Sequence, residues 1–339
     1  MTRWQNRPPG SNWGEFGADD QRGRMNLLTP ARRLAAVREV REGEVFSLSL
    51  PLDYPGGPGL WETRSAPKLI ATHFNDGRCA YPFHMSSYAP RATDVVCDDA
   101  VTLCLQYSTQ WDALAHCGSE FDADADGVPE AVFYNGYRGG EDIVGPEGEA
   151  GPCARALGIE NLARAGVQGR GVLVDLHREF GRTPARVGYE ALMRLMAAQR
   201  VEVGPGDFLC LYTGFADLVL EMKKRPDPRV LHASCAGLDG RDERLQRWIE
   251  ESGVVALCAD NAAVESTAGL AGTGSARQAL LPLHELCLFK LGIHLAELWY
   301  FRELAAWLAA HDRNRFLLTA PPLDLPGAVG SPVTPLATV

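Results

Sequence analysis

In the stretch TLCLQYSTQWDALAH, Thr102 to His116, oxygen-bearing side chains recur at every second position. Read with period two, Thr102, Cys104, Gln106, Ser108, Gln110 and Asp112 share one face, and Leu103, Leu105, Tyr107, Thr109 and Trp111 the other. That alternation predicts a strand over 102–112 whose polar side looks into a pocket. Gln106, Gln110 and Asp112 could then converge on one metal ion, because metal hydrolases need hard oxygen or imidazole ligands in fixed geometry. His116 follows Asp112 by four residues. One helical turn would return its imidazole over the carboxylate, where it could act as general acid or base. A plainer reading stays open: buried glutamines can satisfy backbone groups, and a single histidine can be structural.

A second group lies in LPLHELCLFKLGIHLAELWYFRELAAWLA, which holds His284, Glu285, His294 and Glu297. His294 and Glu297 share a face if this segment is helical, and Gly292 is the expected break. Trp111, Phe133, Tyr134, Tyr137 and Tyr212 are candidate walls of an apolar substrate pocket. Arg64 and Lys68 are candidate partners for a substrate carboxylate. Asp122, Asp124 and Asp126 suggest a calcium loop, with Gly127 at its sixth position. Phe133 stands at the twelfth, where such a loop needs Glu, so a solvated acidic loop is expected.

The elements that must position these groups follow from periodicity and punctuation. Thr29 to Gly43 predicts a helix, with Thr29 as N-cap, Pro30 in the first turn and Gly43 closing it. EVFSLSLPL and KLIATHF predict strands. Further along, strands (GRGVLVDL, GDFLCLYTG, VVALCAD) alternate with helices (GIENLARAG, GYEALMRLMAAQRV, DERLQRWIEESG). This is an α/β or mixed architecture around one sheet. No linker divides the 339 residues, so one domain over 1–339 is expected, with an irregular arm at 1–24 and an extended tail at 321–339. An arm carrying Trp4 and Trp13 should wrap its own core or a neighbouring subunit.

A net charge of -10 and a lack of basic clusters argue against nucleic-acid binding. No run of apolar residues is long enough for a membrane helix. Nine cysteines without a CxxC pair, and the lack of a secretory signal, predict a cytoplasmic protein. No G-x-S-x-G elbow occurs, and GTGSA at Gly272–Ala276 lacks the lysine of a P-loop.

The pattern QYSTQWDALAH resembles the signature of the cyclase-like metal hydrolases, which include bacterial kynurenine formamidase and isatin hydrolase. That signature usually reads H-x-G-T-H-x-D-x-x-x-H. Here Gln106 and Gln110 stand for the first two histidines and Ser108 for the glycine, while Thr109, Asp112 and His116 are kept. The chain is more similar to a Q-x-x-x-Q-x-D-x-x-x-H branch typified by trans-dienelactone hydrolase. SNWGEFGADDQRGRMNLLTP, FYNGY and CADNAAVES add to the resemblance, which spans roughly residues 11 to 310. It implies a mixed β/β/α sandwich or barrel, assembled as a homodimer or homotetramer. It implies metal ligands at Gln106, Gln110, Asp112, His284 and Glu297, and proton transfer by His116. Zn²⁺ is the implied ion, with Mn²⁺ open because amide oxygens are harder donors than imidazole. The implied reaction is hydrolytic opening of a small-molecule cyclic ester or amide. An arylformamidase-type amidohydrolase and a metal-free, binding or cyclising member are the alternatives.

Overall fold

The computed structural model describes residues 2–57, 60–148, 151–267 and 278–339. The loop at Gly272–Ala276 therefore lies outside the described residues. One nine-stranded sheet organises the chain. In chain order its strands are β1 (Val45–Ser47), β2 (Gln110–Asp112), β3 (Gln168–Asp175), β4 (Phe208–Tyr212), β5 (Ala256–Ala259), β6 (His294–Glu297), β7 (Arg315–Thr319), β8 (Gly330–Pro332) and β9 (Leu336–Thr338). Their order in space is β1-β9-β7-β3-β4-β5-β6-β2-β8. Strands β3 to β6 run parallel. The remaining pairings are antiparallel, including β6 with β2 and β2 with β8. The fold is thus mixed α/β, as the alternation of elements predicts.

The sheet is buried on both faces, which explains why its central strands read as continuous apolar runs. Val172 and Val174 of β3, Leu209 and Leu211 of β4 and Leu257 of β5 enter one core. Helices α3 (Tyr189–Ala198) and α4 (Glu243–Ser252) cover that core with Leu192, Leu195, Leu245 and Ile249. Leu173, Cys210 and Cys258 enter the opposite core. It is covered by α2 (Glu160–Ala165) and α5 (Arg302–Ala310), through Leu162, Leu304 and Leu308. The N-terminal arm wraps the first core. Trp13 is buried, packs edge-on against Phe289 and donates its indole N–H to the Phe289 carbonyl at 2.8 Å.

Two expectations are corrected. The strand over 102–112 is two pieces: Asp99–Thr102 pairs in a separate hairpin, and only Gln110–Asp112 joins the main sheet. Between them the chain turns, with Tyr107 N–H donating to the Cys104 carbonyl at 3.1 Å. Thr109 then anchors the re-entry, donating to the Leu298 carbonyl and accepting from Leu50 N–H. The helix beginning at Pro30 (α1) ends at Val37, well before Gly43. Its Thr29 cap does form, with Arg32 N–H donating to Oγ1 at 3.4 Å. The tail contributes two strands to the sheet: β8 pairs with β2, and β9 joins β1 to β7.

Among the described residues no helix is long and apolar enough to cross a membrane.

Candidate metal centre

Strand β2 and its neighbour β6 build the floor of the site. Their register sets Glu297 opposite Gln110 and Leu295 opposite Asp112. Residues directly opposite project to the same face, as do residues two apart. Gln110, Asp112 and Glu297 therefore share one side of the sheet. Trp111 points to the other side, fully buried against Trp299 and Phe208.

His284 arrives from a different element. It closes the short helix Pro282–His284 and is followed by a π-helical stretch, Glu285–Leu291. Gly292 ends that stretch at φ +59° and lets β6 begin two residues later. Gly292 also packs against Gly23 of the arm so closely that a side chain on Gly23 would collide with its carbonyl. The pattern that looked helical around His294 is in fact helix, glycine break and strand. His294 and Glu297 consequently lie on opposite faces of β6. His294 is held by its own ring, with Nδ1 3.0 Å from the Asp112 carbonyl.

One ligand atom from each of Asp112, His284 and Glu297 lies within 4.8 Å of the other two, and all three residues are buried. The Gln110 amide lies between the carboxylates, with Nε2 3.2 Å from Asp112 Oδ1 and 3.0 Å from Glu297 Oε2. Gln110 Oε1 and Asp112 Oδ2 are buried with no hydrogen-bond partner among the described residues. His284 Nε2 faces Glu297 Oε1 at 3.3 Å, while its Nδ1 lies 2.9 Å from Glu265 Oε1. Glu265 also accepts the backbone N–H groups of Leu283 and His284.

The charges carry a clear signature. Burial raises the Glu297 carboxyl to about 7, and the adjacent Asp112 charge adds to the rise. Burial opposes charge on His284. Its hydrogen bonds to Glu265 and Glu297 outweigh that cost and lift it to about 10. Two buried carboxylates this close repel each other, and the Gln110 amide and the His284 ring offset part of that repulsion. A divalent cation suits this donor set: two carboxylates, an amide and an imidazole, with buried oxygens to spare.

His116 sits at the rim. The turn Ala113–His116 closes through His116 N–H to the Ala113 carbonyl at 2.9 Å. It brings His116 Nε2 to 3.9 Å from Asp112 Oδ1, the return over the carboxylate that the four-residue spacing predicts. Its side chain is 24% exposed, so it can meet a solute. Burial lowers its pKa and the Asp112 charge partly opposes this. The imidazole thus favours its neutral form.

Other sequence candidates fall elsewhere. Gln106 lies on the turn ahead of β2 with its amide against Gly330, and among the described residues it has no hydrogen bond to the Asp112–Glu297 cluster. Trp111 is a core residue and not a pocket wall. Tyr134 is fully buried beneath the arm. Tyr137 donates to the Asp19 carbonyl at 3.1 Å and lies under the Arg3 guanidinium, so it fastens the arm. Tyr212 donates to Asp217. Lys68 is exposed on the outer hairpin. Asp122 and Asp126 accept backbone N–H groups of their own acidic loop. Glu265 escaped the sequence reading. Its one signal was membership of the CADNAAVES segment, because no spacing rule links it to His284.

The chain belongs to the Cyclase family, whose model matches residues 46–266. A solved structure of a novel cyclase is 32% identical, covers 97% of this chain and 99% of its own, and superposes with a TM-score of 0.74. Isatin hydrolase A from Ralstonia solanacearum shares the fold at 15% identity, with TM-score 0.54 and coverage of 91% of this chain and 97% of that one. An isatin hydrolase bound to the product analogue thioisatinate gives 16% identity and TM-score 0.53, over 91% and 95% of the two chains. The chain matches no curated protein.

Proposed function

We propose that this chain is a metal-dependent hydrolase that opens a cyclic ester or amide. The observation that carries the reading is the buried meeting of Asp112, His284 and Glu297 within 4.8 Å, with the Gln110 amide between the carboxylates. Asp112, Glu297, His284 and the Gln110 amide oxygen are the groups that would hold the ion. Zn²⁺ suits the imidazole and carboxylates, and Mn²⁺ suits the amide oxygen. A bound divalent cation supplies Lewis acidity toward a carbonyl and toward water.

The chain's own groups divide the remaining work. His116, neutral and at the rim, accepts a proton from the attacking water and returns it to the leaving oxygen or nitrogen. Asp112, beside it, stabilises the imidazolium that forms in between. Glu265 accepts from His284 Nδ1, so Nε2 is the atom that would be offered to an ion, with loss of its proton on binding. The surrounding core excludes bulk water and strengthens each of these electrostatic contacts.

The role of Glu265 is directly testable. Glu265→Gln is expected to weaken metal affinity by about 10–100-fold, with the far-ultraviolet circular dichroism unchanged. Chelator-competition titration reads the effect, and unchanged affinity would show that Glu265 only ties backbone. A screen of lactones, cyclic imides and formanilides, each with and without added Zn²⁺ or Mn²⁺, tests the reaction class. Metal-stimulated opening of a cyclic substrate supports it. Turnover of formanilides alone would move the chain to the amidohydrolases, and no turnover with any ion would contradict hydrolysis.

A further inference from the structure

The N-terminal arm and the metal centre meet on one segment. His284 and Glu297 stand on either side of the π-helical stretch Glu285–Leu291 and its closing Gly292. The chain turns into β6 after Gly292, so the last carbonyls of the stretch have no following helical N–H to accept from. The arm supplies the donors. Trp13 Nε1 donates to the Phe289 carbonyl at 2.8 Å and Asn12 N–H to the Lys290 carbonyl at 3.1 Å. Asn12 Nδ2 donates to the Leu291 carbonyl at 3.0 Å and Arg24 N–H to the Gly292 carbonyl at 2.8 Å. Four consecutive carbonyls are thus taken up by three arm residues.

The arm is itself fixed from elsewhere. Asn135 is fully buried; its Oδ1 accepts Gly14 N–H, and its Nδ2 lies within hydrogen-bond distance of the Gly17, Ala18 and Asp20 carbonyls. The buried Arg24 guanidinium donates to the Ile249 and Glu250 carbonyls near the end of α4. At the other end of the segment Glu265 accepts the Leu283 and His284 N–H groups, and the sheet holds Glu297. The winding in between decides whether His284 Nε2 and Glu297 Oε1 meet, as they do at 3.3 Å. A π-helical turn carries more residues than an α-helical one, and shedding one residue would rotate the helix by about 100°.

We propose that the arm, through Trp13 and Asn12, positions the metal centre: it keeps the winding that sets His284 against Glu297, and an ion held there tightens the arm in return. This coupling rests on the metal-dependent reading for its ion. It adds two residues that act on the donors only through the segment between them.

Chelator competition with Zn²⁺ on the full chain compares wild type, Trp13→Phe, Asn12→Ala and Leu308→Ala. Trp13→Phe removes the indole N–H and keeps an aromatic ring in the first core. Leu308→Ala opens the opposite core and reports what lost stability does by itself. Both arm variants should bind Zn²⁺ about tenfold more weakly or worse. Leu308→Ala should melt at a lower temperature with unchanged affinity. Because such coupling is reciprocal, Zn²⁺ should slow hydrogen exchange of the Asn12 to Arg24 amides in the wild type and not in Asp112→Ala. Wild-type affinity in both arm variants, or a loss no larger than in Leu308→Ala, would overturn the proposal. Arm exchange that ignores Zn²⁺ in the wild type, or slows equally in Asp112→Ala, would overturn it too, and that comparison needs no arm variant to fold. A wild type that binds no ion would sink the hydrolase reading as well, whereas a bound ion with an indifferent arm would sink the coupling alone.

Discussion

Asp112→Ala is expected to lose both the bound ion and turnover, with kcat/KM falling on the order of 10³-fold or more. Asp112 lies within reach of His284, Glu297, Gln110 and His116. Its Oδ1 lies 3.2 Å from the Gln110 amide and 3.9 Å from His116, and its backbone carbonyl holds His294. Removing the carboxylate also leaves Glu297 and the raised His284 as a self-neutralising pair, with less demand for a divalent charge. The fold should survive, because Asp112 pairs with Leu295 and Gly330 through its backbone. Metal content by elemental analysis and steady-state kinetics on the same preparation check the two losses together. An inactive variant that retains its ion would restrict Asp112 to proton handling.

His116→Ala should behave differently. The ion should remain, since His116 lies outside the group of atoms within 4.8 Å. Turnover should fall by about 10²–10⁴-fold, the usual contribution of a positioned general acid or base. The loss should appear in kcat more than in KM. Partial rescue by added imidazole is the distinguishing sign, because the side chain reaches solvent and its removal leaves room at the rim. Activity near that of the wild type would dismiss the proton-transfer role. Loss of the ion would instead make His116 a ligand.

These two expectations rest on features that the sequence displays unequally. Asp112 and His116 were legible, because a four-residue spacing followed by a turn has one simple outcome and the turn forms. Gln110 and Asp112 were legible through alternation on β2. The same alternation misled at Gln106. It ran on through the turn at Cys104–Tyr107, and only tertiary bonds from Thr109 to Leu298 and Leu50 show where the strand begins. Trp111 was assigned to a pocket although period two already set it opposite Asp112. The central sheet was readable because β-branched and leucine runs bounded by glycine and aspartate have few other solutions. Around His284, by contrast, fourteen residues hold a helix end, a π-helical stretch, a left-handed glycine and a strand. No single period describes that segment, so the approach of His284 to Glu297 was available only from the resemblance. Glu265 was invisible for a further reason. Its bond to His284 spans a segment without periodicity, and nothing local distinguishes it from other acidic side chains.

Elemental analysis of the protein after metal loading and exhaustive dialysis tests the central claim most directly, with wild type, Asp112→Ala and Glu297→Gln run side by side. The account predicts near-stoichiometric Zn²⁺ or Mn²⁺ in the wild type and almost none in either variant, all three being folded. Equal metal in all three chains, or none in the wild type, would contradict it.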